Sequence, residues 1–136
     1  MKIILAIDSF KGSLTSLEAE ESVAQAIVQR FPQVTVVCTP IADGGEGTLS
    51  VLLHVSRGNY QYLQAHNPCM EIIPTQYGIS ADKHTAYIEM AAISGLPLLR
   101  EEQKNPMKTT TFGTGELIAD ALEQGCRTFI IGIGGS

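Results

Sequence analysis

Apolar residues fall along this chain in short blocks whose spacing changes twice. Ile3, Ile4, Leu5, Ala6 and Ile7 form an unbroken apolar run, the pattern of a parallel strand covered on both faces. The run ends at Asp8, and Thr15 then stands three residues before Glu18, a capping-box spacing that opens a helix reaching about Arg30. Leu17, Ala24, Ile27, Val28 and Phe31 share one face of that helix, with Glu18, Glu21, Gln25 and Gln29 mostly on the other, and Pro32 stops it. Residues 34–39 read as a second strand. Strand, helix, strand at this spacing predicts a parallel pair joined by a right-handed crossover. The loops at 8–13 and 43–48 are then expected on one rim, beyond the carboxyl ends of the strands.

A short helix is predicted from Thr48 to about Ser56, ended by Gly58 and Asn59. The texture then turns to strands at 60–65, 71–79 and 85–90, separated by turns at His66-Asn67-Pro68 and Ser80-Ala81-Asp82-Lys83, an antiparallel meander rather than another crossover. Residues 96–107, with two prolines and the charged run Arg100-Glu101-Glu102, read as an exposed connection on a solvated face. Thr109 to Glu116 leads into a helix carrying Leu117, Ile118, Ala121 and Leu122, which Gly125 ends, and residues 128–133 form a buried-type strand running into Gly134-Gly135-Ser136. The expected fold is α/β: a parallel Rossmann-like sheet with crossover helices and a β-meander elaboration. Its divisions are expected at 1–58, 59–92 and 93–136. A strand followed by Gly-Gly-Ser would normally continue into a covering helix, so the chain reads as the N-terminal part of a longer one.

At 136 residues, 44% hydrophobic and 17% charged, the chain is long enough for a real core and is neither disordered nor fibrous. Its net charge of −5 and lack of a basic cluster argue against nucleic acid or an acidic membrane surface as partner. Cys38, Cys69 and Cys126 are widely spaced, without a CxxC pair or histidines at metal-ligand spacing, and read as reduced thiols of a cytoplasmic protein. The opening residues are too short and too soon interrupted by an acid for a signal sequence.

Candidate chemistry concentrates in Ala42-Asp43-Gly44-Gly45-Glu46-Gly47-Thr48. Glycines here permit close backbone approach, and a following helix aims its first free amides back into the loop, which favours an anion. Carboxylates beside an anion make sense when a divalent cation or a proton is shared. The same residues also suit an ordinary strand-to-helix turn, with Asp43 as a cap. No GK[ST] follows a glycine, the HRD and DFG strings of protein kinases are missing, GxSxG is absent, and residues 132–136 lack the third glycine of a dinucleotide turn.

Read together, DSFKGSLTS at the start, PIADGGEGT at 40–48, YIEMAAISGL at 87–96, TTTFGTGEL at 109–117 and the final IIGIGGS resemble the bacterial glycerate kinase family, in order over nearly the whole chain. The resemblance implies ATP-dependent phosphorylation of D-glycerate, generally at the 2-hydroxyl, with magnesium, by a two-domain α/β enzyme whose N-terminal portion this chain represents. Members are much longer, so the 136 residues alone are expected to be inactive; where relatives tend to have Gly-Pro-Leu-Gly this chain has Asn67-Pro68-Cys69-Met70, a difference that bears only on local geometry.

Phosphoryl transfer rests on positioning and charge neutralisation, which assigns candidate roles. Asp8, Lys11 and Asp43 are the catalytic candidates: Asp8 to orient or deprotonate the acceptor hydroxyl, Lys11 to pair with a carboxylate or phosphoryl oxygen. Asp43 and Glu46 are the magnesium candidates. Ser9, Phe10, Gly44, Gly45, Gly47, Thr48, Gly113, Thr114 and Gly115 are substrate-binding candidates, and Gly134, Gly135 and Ser136 nucleotide-binding ones. Local readings stand beside these: Lys11 as a surface lysine, Asp8 and Asp43 as turn caps, Glu46 as a residue that favours a helix's first turn, Gly113 to Gly115 as a helix cap and Ser9 as a turn residue. His54, His66 and His84 receive no role. The rival reading is a non-catalytic α/β module that binds anions or assembles, and a truncated parallel sheet is expected to expose an edge and apolar faces open to self-association or to a missing partner segment.

Overall fold

The computed structural model describes residues 1–136 and is a mixed α/β structure with parallel strand pairs. It comprises two compact units, Met1–Asp43 and Gly44–Ser136.

In the first unit β1 (Lys2–Leu5) pairs in parallel with β2 (Thr35–Cys38), in the register Lys2↔Thr35 to Leu5↔Cys38, and α1 (Ser16–Arg30) connects them. The capping box forms as the spacing predicts: Thr15 accepts from the Glu18 amide at 3.2 Å, and Glu18 accepts from the Thr15 amide at 2.9 Å. Two expectations are corrected here. First, β1 is not covered on both faces; its residues alternate between exposed and half-buried, and Ile4 is 63% exposed. A two-strand sheet packed by one helix has cover for one face only. Second, α1 buries Ser16, Ala19 and Glu20, whereas Leu17, Ala24 and Ile27 are half-buried and Val28 and Phe31 stay exposed. The reason is local. Ile7 lies beyond the end of the β1–β2 ladder, and α1 supplies its backbone partners: the Ser16 hydroxyl donates to the Ile7 carbonyl, and the Ile7 amide donates to Glu20 Oε1 at 2.9 Å. Positions four apart on a helix share a face, so this one turn of α1 is polar where it meets the strand end.

The second unit holds α2 (Thr48–Ser56), β3 (Asn59–His66), β4 (Ile72–Ile79), β5 (Thr85–Glu89), α3 (Ala91–Ser94), two short 3-10 turns, α4 (Phe112–Glu123) and β6 (Thr128–Gly132). Its sheet runs β3-β4-β5-β6; the meander pairs are antiparallel, and β6 joins β5 in parallel from Thr85↔Thr128 to Glu89↔Gly132. Alternation along β5 separates two cores. Tyr87 packs with Leu49 and Leu53 of α2, while Ala86 and Ile88 face Leu117 and Ala121 of α4 together with Tyr77, Ile93 and Cys126. The helices therefore cover opposite faces. Full burial of Ile88 or Leu117 is worth about 1.5–3 kcal/mol each. α2 packs on β4 and β5 and so belongs to the second unit.

The meander turn at 67–70 is organised by Asn67, whose Oδ1 accepts from the amides of Cys69 at 2.9 Å and Glu71 at 3.0 Å while Met70 takes a positive φ of 65°. The charged connection is solvated as expected, with the Arg100 and Glu102 side chains 75% and 70% exposed. β6 departs from its buried-type reading. It ends at Gly132, pairs on one side only, and leaves Ile130, Ile131 and Ile133 exposed.

Candidate functional site

In the first unit, β1 delivers Asp8 to a tight turn in which Phe10 and Leu14 form an isolated antiparallel bridge and Gly12 takes φ +76°. The Asp8 carboxylate turns onto the neighbouring backbone, accepting from the Ser9 amide at 2.7 Å. Lys11 reaches the loop that leaves β2: its Nζ lies 3.5 Å from Asp43 Oδ2. The two side chains are 69% and 51% exposed, so this pair contributes roughly 0–1 kcal/mol to stability and both charges face solvent. Phe10 is also exposed. Thus the fold brings Lys11 and Asp43, 32 residues apart in sequence, within reach of one another.

In the second unit the glycine-rich stretches pack on one another. Gly44 and Gly45 lie backbone to backbone against the end of β6: the Gly134 amide donates to the Gly44 carbonyl at 2.8 Å. A Cβ on Gly132 would stand 2.6 Å from the Gly44 carbonyl oxygen, and one on Gly134 would stand 2.7 Å from the Gly45 nitrogen. The glycines at both ends of the sequence pattern are thus engaged with each other. Gly135, with φ +71°, accepts from the Leu96 amide at 3.0 Å, and Ser136 donates to the Ile133 carbonyl at 2.6 Å, so residues 134–136 are tied into this turn.

The amide nest at the head of α2 also has an occupant. Gly47 caps the helix in a left-handed conformation without a side-chain bond, and the Leu49 amide donates to Glu89 Oε2 at 3.0 Å. The backbone of Gly47 and Thr48 also faces this carboxylate. Glu89 is 8% exposed; burial, reinforced by the nearby charge of Glu46, pushes its carboxyl above the usual range against the pull of the amides. The Thr48 hydroxyl is buried without a partner.

Gly113 and Thr114 lie within α4 rather than before it, and both are buried. A Cβ on Gly113 would overlap the His66 carbonyl oxygen and stand 2.7 Å from Ile93 Cγ1, while the Thr114 hydroxyl lies 2.8 Å from that of Ser94. These two residues bring α4 against the sheet end. Gly115 differs, because a Cβ there meets nothing within 4 Å. Sequence reasoning gave His66 no role, yet its amide donates to Glu116 Oε2 at 2.7 Å, its Nδ1 lies 2.9 Å from Glu116 Oε1, and its ring meets Phe112 edge-on. These bonds, the backbone amide first, hold the Glu116 carboxyl below its ordinary range.

No group of three or more His, Cys, Asp or Glu side chains is placed to hold a metal ion. A cavity of about 380 Å³ lined by Tyr62, Pro74, Thr75, Gln76 and Ala92 touches none of the residues selected from sequence. No helix is long and apolar enough to cross a membrane.

Parallel strands that end in acid-bearing and glycine-bearing turns define an α/β protein, a class in which ligands bind beyond the carboxyl ends of the strands. Comparison with known proteins narrows the class: the sequence matches the glycerate kinase family over residues 3–136, and the chain belongs to that family. It is 44% identical over its whole length to the glycerate 2-kinase of Escherichia coli K12 and 46% identical to a glycerate kinase of Bacillus subtilis 168, covering 36% of each. The crystal structure of a protein described as glycerate kinase 2 from Salmonella typhimurium LT2 superposes with a TM-score of 0.86 at 42% identity, over 100% of this chain and 36% of that one. The chain thus spans little more than a third of the length of the relatives it matches.

Proposed function

We propose that the protein to which this chain belongs transfers the γ-phosphoryl group of ATP to the 2-hydroxyl of D-glycerate, with magnesium, and that the 136 residues alone do not turn over. The observation that carries this reading is the 44% identity, over the whole length of the chain, to a glycerate 2-kinase. The geometry of the first unit supports it. Lys11 and Asp43 meet at 3.5 Å in solvent, where a cation can take a substrate carboxylate or phosphoryl oxygen and Asp43 can serve the metal. Asp8, on the same strand-end turn, is the residue to orient or deprotonate the acceptor hydroxyl, with Ser9 and Phe10 beside it.

Magnesium neutralises charge on the transferring phosphates. The donors present do not make a closed cage, but a magnesium ion carried by ATP keeps its waters and needs only one or two carboxylates, a requirement that Asp43 or Glu46 can meet. Among the glycine-rich positions, Gly47 and Gly115 keep open space for a ligand, whereas Gly44, Gly45, Gly113, Thr114 and Gly134 are engaged in packing. The Glu89 carboxylate in the α2 nest weighs against a simple anion-binding module. Cytoplasmic location agrees with ATP as co-substrate.

The test is ADP release by the full-length protein, dependent on both D-glycerate and magnesium, with enolase coupling to separate 2-phosphoglycerate from its 3-isomer. Lys11→Ala should abolish that activity while shifting stability by less than about 1 kcal/mol, because the pair is exposed. Absence of activity in the full-length protein rejects the reading, and full turnover by residues 1–136 alone rejects its second half.

A further inference from the structure

The loop that carries Gly44, Gly45, Glu46, Gly47 and Thr48 lacks a side-chain cap of its own; the Thr48 amide donates to the Gly45 carbonyl at 3.2 Å, and the Leu49 amide needs an acceptor from outside the loop. That acceptor comes from 40 residues away: Glu89, the last residue of β5, sends its carboxylate under the loop to the Leu49 amide. Glu89 is 8% exposed, which makes an unneeded carboxylate costly at this position. The same strand end is held from the other side, since Glu89 is paired in register with Gly132, the Met90 amide donates to the Gly132 carbonyl at 2.9 Å, and the Gly134 amide donates to Gly44. The loop is therefore gripped twice, at its start by the β6 turn and at its end by Glu89, leaving Glu46 exposed between the two grips.

We propose that Glu89 is a positioning residue: an internal anion that fills the α2 nest and so fixes the backbone of residues 44–49 in the shape that phosphoryl transfer uses. In this arrangement the head of α2 is not a phosphate site. The loop meets ligand through its exposed positions, Glu46 and the open side of Gly47, and Glu89 sets where those positions stand. Misplacement of a loop by about 1 Å is enough to cost about 100-fold in rate. The kinetic half of this inference rests on the kinase reading above; the structural half does not.

The experiment uses the full-length protein with Glu89→Ala and Glu89→Gln, read by site-resolved amide hydrogen exchange without ligand and by steady-state kinetics with D-glycerate. Glu89→Ala should accelerate exchange at Gly47, Thr48 and Leu49 at least about tenfold with protection at Ile88 and Leu117 intact, and should lower kcat by about 100-fold with a smaller change in KM. Glu89→Gln retains an acceptor for the Leu49 amide and should recover most of both losses. Unchanged exchange at 47–49, or protection lost alike throughout the core, overturns the assignment; so does intact kcat in a variant whose loop exchanges freely. If the unmodified protein shows no kinase activity, the functional reading fails, and the exchange arm still decides whether Glu89 holds the loop.

Discussion

Gly113 and Gly115 sit two residues apart in α4, were indistinguishable by residue type, and should respond to the same substitution with opposite signs. At Gly115 a methyl group enters open space, so alanine removes only the glycine entropy penalty and should stabilise the protein by about 0.5–1 kcal/mol. At Gly113 the methyl overlaps the His66 carbonyl oxygen and crowds Ile93, which is 0% exposed. Overpacking costs about 1–3 kcal/mol, and the upper end applies because the obstacle is backbone rather than the flexible end of a side chain. Subtracting the same helix gain leaves a net loss of about 2 kcal/mol, so the two variants should differ by about 3 kcal/mol. Urea unfolding of each variant beside the parent reads this directly through the midpoint at constant slope. Displacing His66 should also disturb its bonds to Glu116, visible as a shift of the His66 ring resonances in Gly113→Ala and not in Gly115→Ala. Equal midpoints for the two variants, or a loss at Gly115 as large as at Gly113, would refute the assignment of Gly113 to packing and Gly115 to open space.

Glu20 is 1% exposed and has one carboxylate oxygen without a partner, so Glu20→Gln, which keeps an acceptor for the Ile7 amide and removes the charge, should be neutral or stabilising in denaturant titration. Glu20→Ala leaves that amide unpaired and should cost about 1–3 kcal/mol; the reverse order of the two variants would contradict the geometry. The Glu116 carboxyl titrates below its ordinary value of 4.5 when folded, so the stability it contributes is present above that pH and is lost as pH falls through the folded value. The gap in stability between the parent and Glu116→Gln should therefore be largest near neutrality and close on acidification, whereas a gap independent of pH would show that the bonds to His66 do not depend on the charge.

Local information was legible along the chain. The Thr15–Glu18 box, the stop at Pro32, the helix from Thr48 to Ser56 and the three meander strands each depend on residues within a few positions of one another, and each appears where the pattern placed it. The parallel pairing of β1 with β2 follows from strand, helix, strand spacing for the same reason. The rim residues Lys11 and Asp43 could be nominated by type, since an isolated cation and a glycine-flanked acid at strand ends already suggest oxyanion chemistry.

What tertiary structure alone decided is which partner each polar or glycine position takes. A glycine written in sequence specifies room, without saying whether a ligand, a carbonyl or another glycine fills it; here Gly44 meets Gly134 across 90 residues and Gly113 meets His66. An amide nest likewise specifies an anion without naming it, and Glu89 arrives from the end of β5 only because the meander returns the chain there. Burial has the same character. β1 and β6 are apolar enough for a sheet interior, but exposure is set by which neighbours surround each strand, and here Ile4, in a two-strand sheet, and Ile131, on an edge strand, stay exposed. Short-range pattern determined the elements of this protein; long-range contact determined what their ends are for.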